Sequence, residues 1–323
     1  MIRQREQPSA GMLETMRSVG VVIVSFNTRA LTEKAVHSLL ENSSVSAGNV
    51  VVWDNSSSDG SAAHLQTRFP DIRVIASQEN LGFAKANNAA VRLLDTEFVV
   101  LLNSDTEVLP GALEHLVAAF SECEDAGIVG GRTLFADGSL NYTSCFNRMT
   151  PWSLFCSATG LSRAFASSRV FNPEAIGNWQ RDTRRRVDIV TGCWALLSRR
   201  LWDRLGGFDE KYFMYGEDND LSLRAREMGF RPLIEPRAVI VHHGGGSIAK
   251  KEEKLVQLLT GRATIIRDHW SRLNQLVGLA LLRLFVVLRL ASSLAGADPL
   301  GRPAQLDMWR AIWRRRREWL RGY

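Results

Sequence analysis

Three short stretches of the chain hold residue types that can do chemistry together. Asn103-Ser104-Asp105 places two oxygen-bearing side chains one residue apart. That spacing can face one hard cation, since Mg²⁺ and Mn²⁺ take oxygen ligands and keep waters and substrate phosphates in their remaining positions. Glu217-Asp218-Asn219-Asp220 is a dense acidic run ahead of Leu221. Asp220 suits the capping of a helix start, which favours acidic residues, so Glu217 and Asp218 exceed that need and are candidates for a general base. His242-His243 precedes three glycines; imidazole ligates divalent ions, and glycine lets backbone approach a phosphate closely. Asp54 can accept hydrogen bonds from a nucleobase or a ribose, or it can hold the turn that follows it. Asp59 reads as a cap for the helix beginning near Gly60.

These residues need elements to position them. Residues 19–26 form a nearly continuous apolar run, as do 50–53, 72–76 and 98–102, the pattern of strands buried on both faces. Helical stretches over 32–40 and 83–94 alternate with them. Short connections between alternating strands and helices predict a parallel sheet covered on both faces, with ligands at the carboxyl ends of its strands. Polar residues gather at those ends: Ser25 and Asn27, Asp54 and Asn55, Asn103 and Asp105. A helix over 110–120, a strand over 127–132 and a hairpin turn at Asp137-Gly138 follow. Residues 141–187 lose clean periodicity and read as an irregular insert over the site. Regularity returns over 187–197, followed by a helix over 199–205, one over 220–228 and an extended run over 232–241.

The first 18 residues are polar, without the apolar stretch of a secretory signal, so a leader and a non-secreted chain are expected. Cys123, Cys145, Cys156 and Cys193 show no metal-binding spacing, which suits free thiols in a reducing compartment. The 323 residues carry a formal net charge of +6, suited to an anionic partner, with clusters at Arg184-Arg185-Arg186 and Arg314-Arg315-Arg316-Arg317. Residues 276–297 are long and apolar enough to cross a bilayer, but Arg283 and Arg289 interrupt them, each costing about 2.5–3.5 kcal/mol near the bilayer centre. A helix lying on a membrane surface is expected instead, with the tail's Trp309, Trp313 and Trp319 at the interface. A nicotinamide-binding fold is excluded: Ser25-Phe26-Asn27-Thr28-Arg29 has no glycine where GxGxxG belongs. No nucleic-acid motif is present, and the run at 217–220 opposes a continuous basic groove.

Taken together the motifs resemble glycosyltransferase family 2, with its GT-A fold. The resemblance rests on Val21-Val22-Ile23-Val24-Ser25-Phe26-Asn27, Val51-Val52-Trp53-Asp54-Asn55-Ser56, Glu79-Asn80-Leu81-Gly82-Phe83-Ala84, Leu101-Leu102-Asn103-Ser104-Asp105-Thr106, Gly206-Gly207-Phe208-Asp209-Glu210 and Gly216-Glu217-Asp218-Asn219-Asp220-Leu221, in the family's order. It implies a glycosyltransferase domain over 19–247, with an acceptor-side insert near 141–187 and a helical, basic region over 248–323. The nearest branch looks like bacterial rhamnosyltransferases of O-antigen and cell-wall glycan synthesis, where Asn-x-Asp stands for the usual Asp-x-Asp.

What the resemblance implies is an inverting transfer from a nucleotide sugar, dTDP-rhamnose first, to a glycan or polyprenyl-linked saccharide hydroxyl. The transfer would be assisted by Mg²⁺ or Mn²⁺ and take place at the cytoplasmic face of the inner membrane. Asp218 matches the base and Glu217 its support. Ser25, Phe26, Asn27, Asp54, Asn80, Gly82, Lys85, Asn103 and Ser104 match the donor site. Asp105, Asn103 and His242 match the metal site, with His243 as the fallback. A catalytically inactive sugar-nucleotide-binding module is the alternative.

Overall fold

The computed structural model describes residues 18–244, 251–294 and 303–323. Apart from Ser18, the expected leader lies outside them, as do Gly245, Gly246 and Ser247. Eleven strands are described: β1 (Val19–Ser25), β2 (Val50–Asp54), β3 (Arg73–Ala76), β4 (Phe98–Asn103), β5 (Thr106–Val108), β6 (Ile128–Leu134), β7 (Cys145–Phe146), β8 (Arg185–Arg186), β9 (Ile189–Val190), β10 (Trp194–Ser198) and β11 (Leu233–His242). The helices of the first half are α1 (Arg29–Asn42), α2 (Ser61–Arg68), α3 (Gly82–Val91) and α4 (Ala112–Glu122). The middle of the chain supplies α5 (Pro151–Thr159), α6 (Leu161–Ala164), α7 (Arg199–Leu205) and α8 (Glu217–Glu227). The last part supplies α9 (Lys251–His269), α10 (Arg272–Leu294), α11 (Pro303–Arg314) and α12 (Arg316–Arg321).

The main sheet runs β3-β2-β1-β4-β10-β6-β11-β5, with β8 on the edge of β11. Its first four strands are parallel, as the buried apolar runs predict. Beyond them β10 inserts antiparallel between β4 and β6, so the sheet is mixed in its second half. Both faces are covered. Val22, Val51, Val99 and Leu101 pack on one side, Val21, Ile23, Val50, Val52 and Val100 on the other. This is the period of two expected when every strand residue meets a core.

Three expectations change. The insert is not irregular throughout: Thr150 and Ser153 form a reciprocal capping box with Pro151 in the first turn, and α5 follows. That helix packs along α10, where Arg289 donates to the Ser157 carbonyl. Secondly, Trp309 and Trp319 are buried, at 6% and 0% exposure, and Trp313 packs against the same core. The tail's tryptophans therefore seat α11 and α12 on the protein and are not an interfacial belt. Thirdly, the Arg184–Arg186 cluster is occupied: Arg184 pairs with Glu122 and buried Glu235, Arg186 with Asp125, and Arg185 lies over the Trp179 ring.

Candidate active site

Strand register assembles the donor side. Ser25 is level with Asp54, and Val24 with Asn103, so β1, β2 and β4 end at one edge. Ser25 is fully buried, with its hydroxyl 3.1 Å from that of Thr28 and 2.9 Å from that of Thr32. Thr28 in turn donates to Ser104 at 3.2 Å. Ser25 and Ser104 thus tie the end of β1 to the Asn103–Asp105 turn, and Ser25 offers no exposed group to a ligand. Asn27 adopts φ 52°, and its Oδ1 accepts from the Ser58 amide at 2.8 Å. Phe26 beside it is half-buried. Asp54 holds the turn that follows it. Oδ1 accepts from the Ser57 amide at 2.8 Å, while Oδ2 is buried without a partner, an unmet acceptor of the kind that costs roughly 1–3 kcal/mol. Asp59 accepts from the backbone amides of Arg29 and Ser61, holding the start of α2 as expected.

Asn80 accepts from Asn55 Nδ2 at 2.8 Å and from the Gly82 amide at 2.9 Å, which sets the start of α3. Gly82 has φ 77°, and a Cβ there would stand 2.4 Å from the Phe213 carbonyl oxygen. Phe83 also donates its amide to that oxygen at 2.8 Å. The donor-side turn is thereby locked to the loop that leads into α8. Gly82→Ala is expected to destabilise the fold by about 2 kcal/mol or more, from left-handed strain and displacement of Phe213, and to depress turnover with it. Thermal unfolding and an activity assay check this; an unchanged melting temperature would remove the tight seat. Lys85, one turn into α3, is exposed and makes no bond to a described residue.

The cation candidates converge. His242 Nε2 lies 3.1 Å from Asp105 Oδ1 and 3.5 Å from the Asn103 amide nitrogen, an amide whose two ends are interchangeable by assignment. His243, the residue just past β11, reaches Glu107 instead, at 2.8 Å. His242 is therefore the histidine of the pair that faces Asp105. Burial opposes a charge on His242, but the Asp105 carboxylate and the Cys193 thiol beside it push its pKa up to about 10. Burial would raise Asp105, yet His242 holds it below the usual carboxylate range.

Adjacent oxygen or nitrogen ligands at about 2.1 Å from one octahedral ion stand about 3.0 Å apart, so the Asp105–His242 spacing fits a divalent cation in place of the shared proton. His242 Nδ1 is buried without a hydrogen bond. Among the described residues no trio of His, Cys, Asp and Glu forms an all-protein cage. An ion here would complete its shell with water and phosphate oxygens, as Mg²⁺ and Mn²⁺ do.

The acidic run sits at the first turn of α8, capped by Gly216 in the left-handed region. The helix begins three residues before the expected start, and Asp220 does not cap it. Asp220 is buried and bonded to Arg224 at 2.6 Å and His269 at 2.9 Å. Asp218 Oδ1 accepts from the Asn219 amide at 2.8 Å and Oδ2 from the Gly192 amide at 3.4 Å. Burial raises the Asp218 pKa, and these amides oppose the rise. Glu217 is pushed well above its usual range by burial and by the charge of Asp218, and its Oε2 has no partner. Of the two carboxyls, Asp218 is the one built to carry charge, and Glu217 the one built to stay protonated.

Two observations bring the cation side and the acidic side near one another. The dipeptide Gly192-Cys193 bridges them, since the Cys193 carbonyl accepts from the Asn103 amide at 3.1 Å while the Gly192 amide reaches Asp218. Tyr215, at φ 67°, has its phenol pushed up to about 12 by burial and then by the charges of both Glu217 and Asp105.

Sequence reasoning missed what holds this loop. A Cβ on Gly261 of α9 would meet the Tyr215 carbonyl at 2.1 Å. Tyr212 donates to Asp268 at 3.0 Å, and Tyr323 donates to the Met214 carbonyl at 2.5 Å. The region after residue 248 is thus a buttress of the acidic loop. A lone glycine inside α9 was the one local sign of it.

A sheet parallel through β3-β2-β1-β4, with Asp54 and Asn103 at the ends of its strands, is the arrangement of the GT-A fold. The model of "Glycosyl transferase family 2" matches residues 20–203, and the chain belongs to that family. It is 30% identical over 216 residues to the N-acetylglucosaminyl-diphospho-decaprenol L-rhamnosyltransferase of Mycobacterium tuberculosis, covering 62% of this chain and 68% of that one. The O-antigen biosynthesis protein RfbC of Myxococcus xanthus is 26% identical over 230 residues, 70% of this chain but 17% of the relative. Among solved structures, the mannosyltransferase PcManGT of Pyrobaculum calidifontis, in complex with GDP-Man and Mn²⁺, superposes with a TM-score of 0.54 at 20% identity. That match covers 94% of this chain and 84% of the other. The chain is a glycosyltransferase, similar to rhamnosyltransferases.

Proposed function

We propose that the chain transfers a sugar with inversion from a nucleotide sugar, dTDP-rhamnose first, to a hydroxyl of a lipid-linked saccharide or other glycan. The observation that supports this is the Gly192-Cys193 dipeptide, which bonds to Asp218 on one side and to Asn103, next to Asp105 and His242, on the other. Asp218 takes the proton from the acceptor hydroxyl, and the freed oxygen attacks the anomeric carbon from the side opposite the diphosphate. Glu217 stays protonated beside it and limits the charge of the pair. Asp54 receives the nucleobase through its unpartnered Oδ2, with Phe26 and Asn27 against it. Asn80, Gly82 and Lys85 border the donor. Asp105 and His242 hold Mg²⁺ or Mn²⁺, with Asn103 alongside; when bound, the cation offsets the charge that develops on the leaving diphosphate.

Rhamnose and a polyprenyl-linked acceptor are supported by the likeness to the N-acetylglucosaminyl-diphospho-decaprenol L-rhamnosyltransferase of Mycobacterium tuberculosis. That acceptor class fits work at the cytoplasmic membrane face. A donor screen with Mg²⁺ or Mn²⁺, reading nucleoside diphosphate release, tests the proposal. Acceptor-dependent release with dTDP-rhamnose above other donors is expected. Tight donor binding with no release from any donor would favour an inactive binding module.

A further inference from the structure

Helix α10 presents two opposite apolar faces. Gly278, Leu279, Leu282 and Val286 are buried, with Gly278 against Trp270 and Ile266 and Phe285 against Trp309. On the other side Leu273, Leu276, Val277, Val287 and Leu294 stand in solvent, Leu273 at 72% and Leu276 at 70% exposure. Leu276 and Val277 lie three and four residues after Leu273, Val287 eleven residues (about three turns) after Leu276, and Leu294 seven after Val287, so the five share one stripe along the helix. Helix α5, packed along α10, adds exposed rings: Trp152 stacks on Phe155, and Phe165 beyond it is also exposed. Lone surface leucines need no explanation, but a continuous stripe beside aromatic rings does.

The charge around this surface is one-sided. Residues 141–173 and 270–294 contain six arginines and no aspartate or glutamate, in a chain with 34 acidic residues. Arg283 lies in the stripe itself, exposed and without a bond to a described residue. Apolar side chains on segments whose only charged residues are arginines fit an anionic lipid surface. A second copy of the chain fits less well, because a two-fold contact would bring the same arginines together. With its other face occupied by protein, α10 lies on a bilayer and does not cross it.

We propose that the exposed stripe of α10, with the aromatic rings of α5 and of Phe165 beside it, docks the enzyme on an anionic phospholipid surface. The inference rests on the lipid-linked acceptor reading and names the surface that serves it. The test is co-sedimentation of the full chain with vesicles of equal parts phosphatidylglycerol and phosphatidylcholine, against vesicles of phosphatidylcholine alone. Binding to the anionic vesicles is expected, weakening as salt rises. Leu273→Ser with Leu276→Ser, and separately Arg283→Glu, should each weaken binding roughly tenfold. Both leave donor turnover on a soluble acceptor unchanged, because these side chains are exposed and none belongs to the candidate site. Equal binding to both vesicle types, or binding indifferent to the substitutions, overturns the proposal. So does a wild-type dimer that these substitutions dissociate while no vesicle binds. Nucleoside diphosphate release without vesicle binding sinks the docking surface alone; vesicle binding without release from any donor sinks the transferase reading alone.

Discussion

Asp218→Asn is expected to lower kcat by roughly 10²–10⁴-fold, the usual contribution of a positioned general base, while the KM for the donor stays near that of the wild type. The split follows from where Asp218 sits. Its oxygens accept from the amides of Asn219 and Gly192, and an asparagine of the same shape can keep one of those bonds while losing the basicity. Because burial raises its pKa, the wild type should lose activity as pH falls through a limb lying above the ordinary aspartate value of about 3.9. The sign is fixed: a base must be ionised, and a raised pKa demands a higher pH. Glu217→Gln should cost far less and leave that limb nearly in place, since Glu217 is already uncharged while Asp218 titrates and burial, not a neighbouring charge, raises Asp218. Steady-state rates across pH check all three. A fully active Asp218→Asn would transfer the base role elsewhere.

Asp105→Ala should reduce turnover roughly 10²–10³-fold, the range for losing a group that stabilises developing charge, and should abolish the response to added Mg²⁺ or Mn²⁺. His242→Ala removes the second donor of a pair set 3.1 Å apart; raising the cation concentration should recover part of its loss. His243→Ala should leave cation dependence as it was, because His243 is bonded to Glu107 instead. Cation titrations of the three variants separate these outcomes. Full activity in Asp105→Ala would remove the cation assignment.

The parallel half of the sheet was legible because β1, β2 and β4 are apolar on both faces, and continuous runs of that kind have few other uses. Asn103, Asp105 and Asp54 were legible because they end those strands. The choice between His242 and His243 was not, since it depends on which carboxylate each reaches at the end of β11. The start of α8 was misplaced because Gly216, in the left-handed region, begins the helix where it packs against Tyr212 and Gly261, and Gly261 lies 45 residues on. Asp220 looked like a cap for the same reason: its partner His269 lies 49 residues away. Helix α5 had a readable start in Thr150, Pro151 and Ser153, hidden among serines and aromatics. The burial of Trp309 and Trp319 was invisible, because an interfacial and a core-facing tryptophan have the same periodicity.

The most direct measurement is a crystal structure with Mn²⁺ and a non-transferable nucleotide sugar, with the ion located by its anomalous scattering. The expected result is a manganese peak in contact with Asp105 and His242, with the anomeric carbon turned toward Asp218 across the Gly192-Cys193 bridge. An ion bound elsewhere, or a sugar facing away from Asp218, would contradict it.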